Sequence, residues 1–212
     1  MKRALIGFIS DFRYRKISHT STVNDLLKEF FRKTIHICAS LVPVLADWNY
    51  QWTLMALAFI VALYIVCEYR RLTGHPVPVI SSITAYAARA RDEGSFALGP
   101  VTMGLGVLFA LILFPPEAAR IGIFALAFGD GIASLAGKIF GRTKIPLTNG
   151  KTAEGSTACF FAVFFSTVMI TDSPLRSLEV ALLAAFIEVF PIRDYDNLII
   201  PLAIGAFVFL LP

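Results

Sequence analysis

Long apolar stretches dominate this sequence and limit what it can fold into. Seven of them follow one another with short polar connections, at 34–47, 52–67, 97–114, 118–137, 153–171, 175–190 and 197–211. Hydrophobic residues make up 57% of the 212 residues and charged residues 16%, whereas soluble proteins average about 45–50% and about 25%. A soluble globule has too little polar surface to cover so many apolar side chains. The sequence therefore predicts an all-α, polytopic integral membrane protein with six to seven transmembrane helices.

An amphipathic pattern precedes the first apolar stretch, at residues 22–33. Its apolar side chains recur at helical spacing and its charged side chains fall between them. We expect an interfacial helix at the end of a basic cytoplasmic arm, residues 1–33, followed by a transmembrane domain, residues 34–212. A further helix outside the spans is predicted over 77–93. The apolar run at 4–9 is shorter than the core of a signal peptide, so no cleaved signal is expected.

Basic residues are distributed very unevenly among the connections. Seventeen of the 19 Lys and Arg residues lie in the N-terminal arm or in the 68–96, 138–151 and 188–196 connections, which leaves Arg120 and Arg176 on the other side. Such a bias places the basic side in the cytoplasm. The N-terminus and the active site are therefore expected to be cytoplasmic, and with seven spans the C-terminus lies outside. The positive net charge reflects this topology, so no nucleic-acid partner is expected.

The segment 128–155 departs from ordinary membrane-helix chemistry. Asp130 lies within an apolar helix, where an ionised carboxylate is costly and is a functional candidate by default. Asp130, Ser134, Gly137 and Gly141 follow one another at spacings of four, three and four residues, and so share one helix face. That face is small and polar, which lets a ligand or another backbone approach closely.

A basic loop with glycines follows this helix. The candidate nucleotide-binding residues of helix and loop are Gly137, Lys138, Gly141, Lys144, Gly150, Lys151, Thr152 and Gly155. Glycines leave backbone N–H groups accessible and lysines supply point charges, which suits a polyphosphate. Thr152 and Glu154 open the next apolar helix, and a helix N-terminus is itself an anion site. The loop is not a P-loop, because Ile145 stands where that motif requires glycine.

Other polar residues are expected on the same side of the membrane. They are Arg32, Lys33 and His36 at the first span, Glu68 at the end of the second, and Glu188, Asp194 and Asn197 around the last cytoplasmic connection. Carboxylates that converge on phosphates are typical of Mg²⁺ sites, so Asp130, Glu188 and Asp194 are the predicted metal ligands. Asp196 remains an alternative to Asp194. A channel or transporter, with Asp130 lining an ion path, is a further alternative.

At these residues the chain resembles the CTP-dependent lipid kinase family, which includes dolichol kinase, phytol kinase, yeast-type diacylglycerol kinase and bacterial polyprenol kinase-like proteins. The resemblance extends over nearly the whole chain after residue 30 and is most specific in the central block. The matching motifs are Arg32-Lys33-x-x-His36, Glu68, Gly99-Pro100…Gly104-x-Gly106, Gly129-Asp130-x-x-Ala133-x-x-x-Gly137-x-x-x-Gly141-x-x-Lys144, Lys151-Thr152-x-Glu154-Gly155 and Glu188…Asp194-x-x-Asn197-Leu198-x-x-Pro201.

This resemblance implies a kinase that transfers phosphate from CTP to a membrane lipid alcohol (polyprenol or dolichol, phytol, or diacylglycerol) at the cytoplasmic face. Mg²⁺ is the expected cofactor, and Asp130, Glu68 and Glu154 are the expected catalytic residues. The lipid, CTP and the membrane are the expected partners, and the oligomeric state is left open. The central block also resembles CTP:phosphatidate cytidylyltransferases, which make a CDP-lipid. That activity is the alternative, although the chain lacks their His-Gly-Gly…Asp-Arg-x-Asp tail.

Overall fold

A computed structural model describes residues 23–87, 94–148, 150–190 and 192–210 of the chain, with side chains from residue 26 onward. These residues form helices, joined by loops with one isolated β-bridge, and no strand is found among them. The helices are α1 (Val23–Cys38), α2 (Leu41–Trp48), α3 (Tyr50–Leu72), α4 (Pro78–Ala87), α5 (Gly99–Leu113), α6 (Pro116–Phe140), α7 (Ala153–Thr171), α8 (Pro174–Val189) and α9 (Asp196–Leu210). The all-α prediction is confirmed for this part of the chain.

Each predicted apolar stretch coincides with one of these helices, except that 34–47 is divided between α1 and α2. Three helices, α3, α6 and α7, are long and apolar enough to cross a membrane. The others are shorter than the about 20 residues that a perpendicular span requires; α5 has 15 residues, α8 has 16 and α9 has 15. Three spans are thus supported by length and composition, and the predicted six to seven are not shown.

Helix α1 continues through the boundary predicted at residue 33. Its side chains Leu27 and Phe30 are exposed, whereas Glu29, Lys33 and His36 are buried against the rest of the protein. The polar face of this amphipathic helix therefore packs inward and the apolar face is left outward, as lipid contact requires. The basic arm at 1–22 and the end of the predicted 77–93 helix, at 88–93, lie outside the described residues.

Helix α6 contains a π-helical turn at Ala125–Asp130, between α-helical parts at Pro116–Phe124 and Gly131–Phe140. Such turns occur frequently at functional sites. Gly129 within the turn allows α7 to approach, because a Cβ there would lie 2.8 Å from Val163 Cγ2. The turn ends at Asp130 and thereby sets the direction in which this carboxylate points.

The two arginines assigned to the outer side lie at the opposite end of the bundle from Phe140. Arg120 forms an ion pair with Asp47, and Arg176 Nη1 lies 3.6 Å from Glu117 Oε1. Trp48 is also at this end, at the end of α2, and is 87% exposed. Exposed tryptophan near a bundle end is typical of a membrane–water interface.

Candidate active site

A cleft of about 760 Å³ is bounded by α1, α6, the start of α7, the end of α8, the loop between α6 and α7, and the connection from α8 to the start of α9. This volume lies within the range of about 300–1,000 Å³ that is usual for small-molecule sites. Charged side chains contribute much of its lining, although the surrounding helices are apolar.

Asp130 and Lys33 form a buried ion pair in this cleft, between α6 and α1. Oδ2 of Asp130 also lies 3.3 Å from Nδ1 of His36, one turn further along α1 in the C-terminal direction. Asp130 is ten residues from the end of α6 at Phe140, or about 15 Å along the helix axis. Charges at that depth are tolerated because each neutralises the other.

Glu29 of α1 connects a second set of polar groups to α6. Ser134 Oγ donates to its carboxylate at 2.6 Å, Lys138 Nζ lies 2.5 Å away, and Arg32 pairs with it from the same helix. Burial raises the pKa of Glu29, but Arg32, Lys138 and Ser134 together outweigh burial and lower that pKa to about 2. Glu29 is therefore ionised at neutral pH and holds α1 against α6.

Lys151 and Glu188 form a third charged pair, between the α6–α7 loop and α8. Lys151 Nζ lies 2.5 Å from Glu188 Oε1, and Ser156 Oγ donates to Oε2 at 3.0 Å. Burial lowers the pKa of Lys151, but the charges of Glu188 and Asp130 outweigh burial and raise it. Lys151 therefore remains a cation at neutral pH, directed into the cleft.

The loop between α6 and α7 is a short hairpin that carries Lys151. Ile145 N donates to Lys151 O at 2.9 Å, and Ala153 N donates to Thr143 O at 2.9 Å. The Glu154 carboxylate accepts from Thr143 N at 3.1 and 3.2 Å, and these hydrogen bonds hold the first half of the hairpin against the start of α7. The sequence thus folds back on itself, and the backbone pairing fixes the position of Lys151.

Thr152 and Gly155 join this hairpin to the helices. Thr152 Oγ1 caps α7 by accepting from Gly155 N at 3.2 Å. A Cβ on Gly155 would lie 2.9 Å from Ala133 O of α6, so only glycine permits this approach. Gly137, on the facing turn of α6, also allows a close approach, because a Cβ there would lie 3.0 Å from Thr152 Oγ1.

Proteins of similar sequence indicate the family to which this chain belongs. The phytol kinase of Synechocystis sp. is 30% identical over 185 residues, which cover 82% of this chain and 76% of that protein. The chain belongs to the phytol kinase family. This membership confirms the relationship to the CTP-dependent lipid kinases and supports lipid-alcohol kinase activity.

Two further proteins are similar to this chain over most of its length. Chloroplastic phytol kinase 1 of Arabidopsis thaliana is 28% identical over 200 residues, which cover 85% of this chain and 66% of that protein. An uncharacterised protein of Methanocaldococcus jannaschii is 30% identical over 183 residues, which cover 84% and 92%. No protein-family model matches the chain, and no solved structure does.

Most of the site residues predicted from the kinase motifs line the cleft. They are Arg32, Lys33, Asp130, Gly137, Lys138, Gly150, Lys151, Thr152, Gly155 and Glu188. Gly141 and Lys144 do not line it. Gly141 follows the last residue of α6, and Lys144 is exposed and forms a β-bridge with Thr152 through its backbone. The hairpin therefore brings Lys151 to the cleft and leaves Lys144 outside it.

Glu68 and Glu154, which are predicted to be catalytic, are not part of the cleft lining. Both carboxylate oxygens of Glu68 accept from Arg71, at 2.7 and 2.8 Å, and Ala97 N donates to Oε1 at 2.9 Å. Glu154 accepts from the Thr143 backbone as described above. Each carboxylate therefore accepts a hydrogen bond from a backbone N–H, of Ala97 for Glu68 and of Thr143 for Glu154, and sequence spacing does not reveal these donors.

The predicted metal ligands do not converge as a group. Asp130 and Glu188 line the cleft, but Asp194 lines a smaller pocket beside it together with His36 and Asn197. Asp196, the alternative to Asp194, lines the cleft instead. No group of three or more His, Cys, Asp or Glu side chains that could hold a metal ion is found among the described residues.

Sequence reasoning missed two charged residues of the cleft, Glu29 and Arg193, and two uncharged ones, Thr148 and Phe190. The amphipathic pattern assigned Glu29 to a solvated face, although its spacing of three or four residues from Arg32 and Lys33 was a usable signal. In the sequence, Arg193 contributes to the charge bias that orients the chain, and it belongs to none of the site motifs. It has a φ of 58°, in the left-handed region, and no sequence signal indicates this conformation.

Proposed function

We propose that the chain transfers the terminal phosphoryl group of CTP to the hydroxyl group of a membrane lipid alcohol, at the cytoplasmic face. The observation that carries this proposal is the buried Lys33–Asp130 pair within a charged cleft of nucleotide size, inside an otherwise apolar bundle. Phytol, named in the relatives from Synechocystis and Arabidopsis, is the first acceptor to consider. Polyprenol, dolichol and diacylglycerol are the others.

The cations of the cleft would bind the phosphates. Lys138, Lys151 and Arg193 line it, and Lys138 and Lys151 are each held by a carboxylate that a phosphate oxygen would replace as the acceptor. Arg32 lines the same cleft with a planar guanidinium, which suits the equatorial oxygens of a transferred phosphoryl group. Phosphoryl transfer depends mainly on positioning and charge stabilisation, and these side chains provide both.

Mg²⁺ is the proposed cofactor, and the cleft fits an ion that arrives with the nucleotide. Mg²⁺ is usually bound through one or two carboxylates together with substrate phosphates, rather than by a cage of protein ligands. Asp130, Glu188 and Asp196 are the cleft carboxylates that would hold it. The ion would neutralise charge on the phosphates. Asp194 is not included, because it lines the neighbouring pocket.

The location proposed for the site suits both substrates. The hydroxyl group of a lipid alcohol lies at the interface while its chain stays in the bilayer, and CTP arrives from the cytoplasm. Seventeen of the 19 Lys and Arg residues lie on the side of the cleft by the topology predicted from the sequence, which supports a cytoplasmic opening.

The decisive experiment incubates purified protein in detergent or vesicles with phytol, Mg²⁺ and either CTP or ATP, each labelled in the terminal phosphate. We expect labelled lipid monophosphate and CDP, formed faster with CTP than with ATP and abolished by a chelator. Equal or faster transfer from ATP would contradict the donor assignment. In a parallel reaction with phosphatidate in place of phytol, release of pyrophosphate with formation of a CDP-lipid would instead support the cytidylyltransferase. Ion flux without nucleotide turnover would support a channel.

A further inference from the structure

A second pocket, of about 70 Å³, lies beside the cleft and is bounded by α1, α3, α4, α5 and the start of α9. Most of its lining is apolar, with Ile35, Tyr64, Ala97 and Met103 among the contributing side chains. Pro100, also in the lining, is exposed at the protein surface. The pocket is therefore an apolar recess that reaches the outside of the helix bundle.

Two side chains of α1 form the boundary between this pocket and the cleft. Arg32 lines both; its Nη1 donates to Ala87 O of the pocket at 3.4 Å, and its Nη2 pairs with Glu29 of the cleft. His36, one turn further on, lines the pocket while its Nδ1 lies 3.3 Å from Asp130 Oδ2 of the cleft. The two sites are thus separated by single side chains.

The polar part of the pocket is a fixed structure. Asn197 is buried, and its Nδ2 donates to Gly99 O at 3.2 Å. Thr102 Oγ1 donates to Asp194 O at 2.7 Å, which ties the segment before α9 to α5. Asp194 and Asn197 therefore present their side chains to the pocket from a backbone that α5 holds in place.

We propose that this pocket binds the hydroxyl end of a single-chain prenyl alcohol, the acceptor in the reaction proposed above, on which this inference rests. The pocket's about 70 Å³ exceeds the about 10–15 Å³ that a single water needs, so it admits a hydroxyl group together with a few of the carbon atoms next to it. The glycerol and two ester groups of diacylglycerol are larger than this space. The remaining prenyl chain would leave past Pro100 into the bilayer.

The arrangement explains how a water-insoluble acceptor reaches a nucleotide held in a charged cleft. The hydroxyl group would meet Arg32 and His36 at the boundary, next to the place proposed for the transferred phosphoryl group. Reaction requires the attacking hydroxyl oxygen and the terminal phosphorus atom of CTP to lie about 3–3.5 Å apart and in line, and a shared boundary allows that proximity. The alcohol would keep its apolar part away from the ion pairs of the cleft.

The first test fills the pocket. Met103→Trp adds volume to its wall, and Met169→Trp, the same exchange at a side chain that is 86% exposed on α7, is the control. We expect Met103→Trp to raise the KM for phytol by about tenfold or more, equivalent to about 1.4 kcal/mol, and to leave the KM for CTP within about twofold. A folded Met103→Trp protein with an unchanged KM for phytol would overturn the proposal.

The second test does not depend on turnover or on that variant. A phytol analogue with a photoreactive diazirine near its hydroxyl end is irradiated with the wild-type protein, without nucleotide, and the labelled peptides are identified. We expect labels at 84–87 or 97–103, reduced by excess phytol and by Met103→Ala. Labels confined to α7 and α8, or preferential phosphorylation of diacylglycerol by the wild type, would overturn the proposal. Absence of any lipid phosphorylation alongside competed labelling at 84–87 or 97–103 would reject only the kinase function.

Discussion

Lys33 and Asp130 are 97 residues apart in the sequence, and each is buried against the other. Sequence reasoning treats Asp130 as a lone buried charge, for which replacement by asparagine looks neutral or stabilising. The pairing reverses that expectation, because removal of one partner leaves an uncompensated charge at a cost of about 3–5 kcal/mol. The same variant therefore tests both the activity and the stability of the protein.

Asp130→Asn is expected to reduce the kinase rate at matched protein levels by about 100-fold or more, as loss of a transition-state contact worth about 2.7 kcal/mol does. The control is Asp47→Asn, the same exchange in an exposed ion pair at the opposite end of the bundle, which should retain the wild-type rate. Lys138→Ala should reduce the rate less, because Lys138 is more exposed and its partner Glu29 is still paired with Arg32 in that variant. More than half of the wild-type rate in Asp130→Asn would contradict its role.

A double-mutant cycle separates charge pairing from catalysis at this pair. Thermal unfolding in detergent should give lower midpoints for Lys33→Met and for Asp130→Asn than for the double variant, since the double variant leaves no unpaired charge. Strictly additive shifts would show that the two side chains are not coupled. None of these outcomes depends on the identity of the lipid substrate.

At the scale of elements, Glu68 connects α3 to the segment that leads into α5. Its carboxylate accepts hydrogen bonds from Arg71 of the same helix and from the backbone N–H of Ala97, and thereby joins two parts of the bundle. Arg71 extends the connection by donating to Ser95 O at 2.9 Å. Charge-assisted hydrogen bonds of this kind contribute about 1.5–3 kcal/mol each.

Glu68→Gln is accordingly expected to lower the thermal midpoint by several degrees, since about 1 kcal/mol corresponds to about 2–4 °C for a chain of this size. The rate per folded molecule should stay within about twofold of the wild type. Glu179→Gln, at an exposed position on α8, is the matched control and should change neither quantity. A large loss of rate with an unchanged midpoint would restore the catalytic role of Glu68.

Sequence patterns located the helices because apolar periodicity and length report burial in lipid or protein. They did not locate the π-helical turn at Ala125–Asp130, since one residue added to a turn leaves no periodic trace in a uniformly apolar segment. The shared face from Asp130 to Gly137 was predictable because the residues after Asp130 are α-helical. Which face of α1 turns inward was not, because amphipathicity identifies two faces without saying which one meets protein.

Within the site, too, sequence patterns identify the residues but not the direction in which their side chains point. The lysines of the hairpin were recognisable as a set, but the backbone pairing that directs Lys151 inward and leaves Lys144 outside depends on where the turn falls. Likewise Asp194 lies within a single 3₁₀ turn, Arg193–Tyr195, and Asp196 follows that turn, and the two residues line different pockets. Spacing alone cannot assign residues whose direction is set by a short irregular segment.

At the scale of the whole molecule, the orientation in the membrane remains a prediction from charge. Single cysteines at Ile145 and Arg193, in a Cys38→Ala background because Cys38 is exposed, should react with an impermeant thiol reagent only from the cytoplasmic side. Asp47→Cys, at the opposite end, should react only from outside. Labelling of position 145 or 193 from outside would contradict the proposed cytoplasmic cleft.

The pairing of charges within the cleft also governs how the protein will respond to ionic strength. Among the described residues of its lining, the cations Arg32, Lys33, Lys138, Lys151 and Arg193 face the carboxylates Glu29, Asp130, Glu188 and Asp196, a formal excess of one positive charge. Mobile ions screen the charges of an open basic surface, so its affinity for a polyphosphate falls as salt is added. Here the carboxylates that balance the cations are part of the polypeptide, so a bound polyphosphate replaces one anion by another and its affinity should depend less on salt.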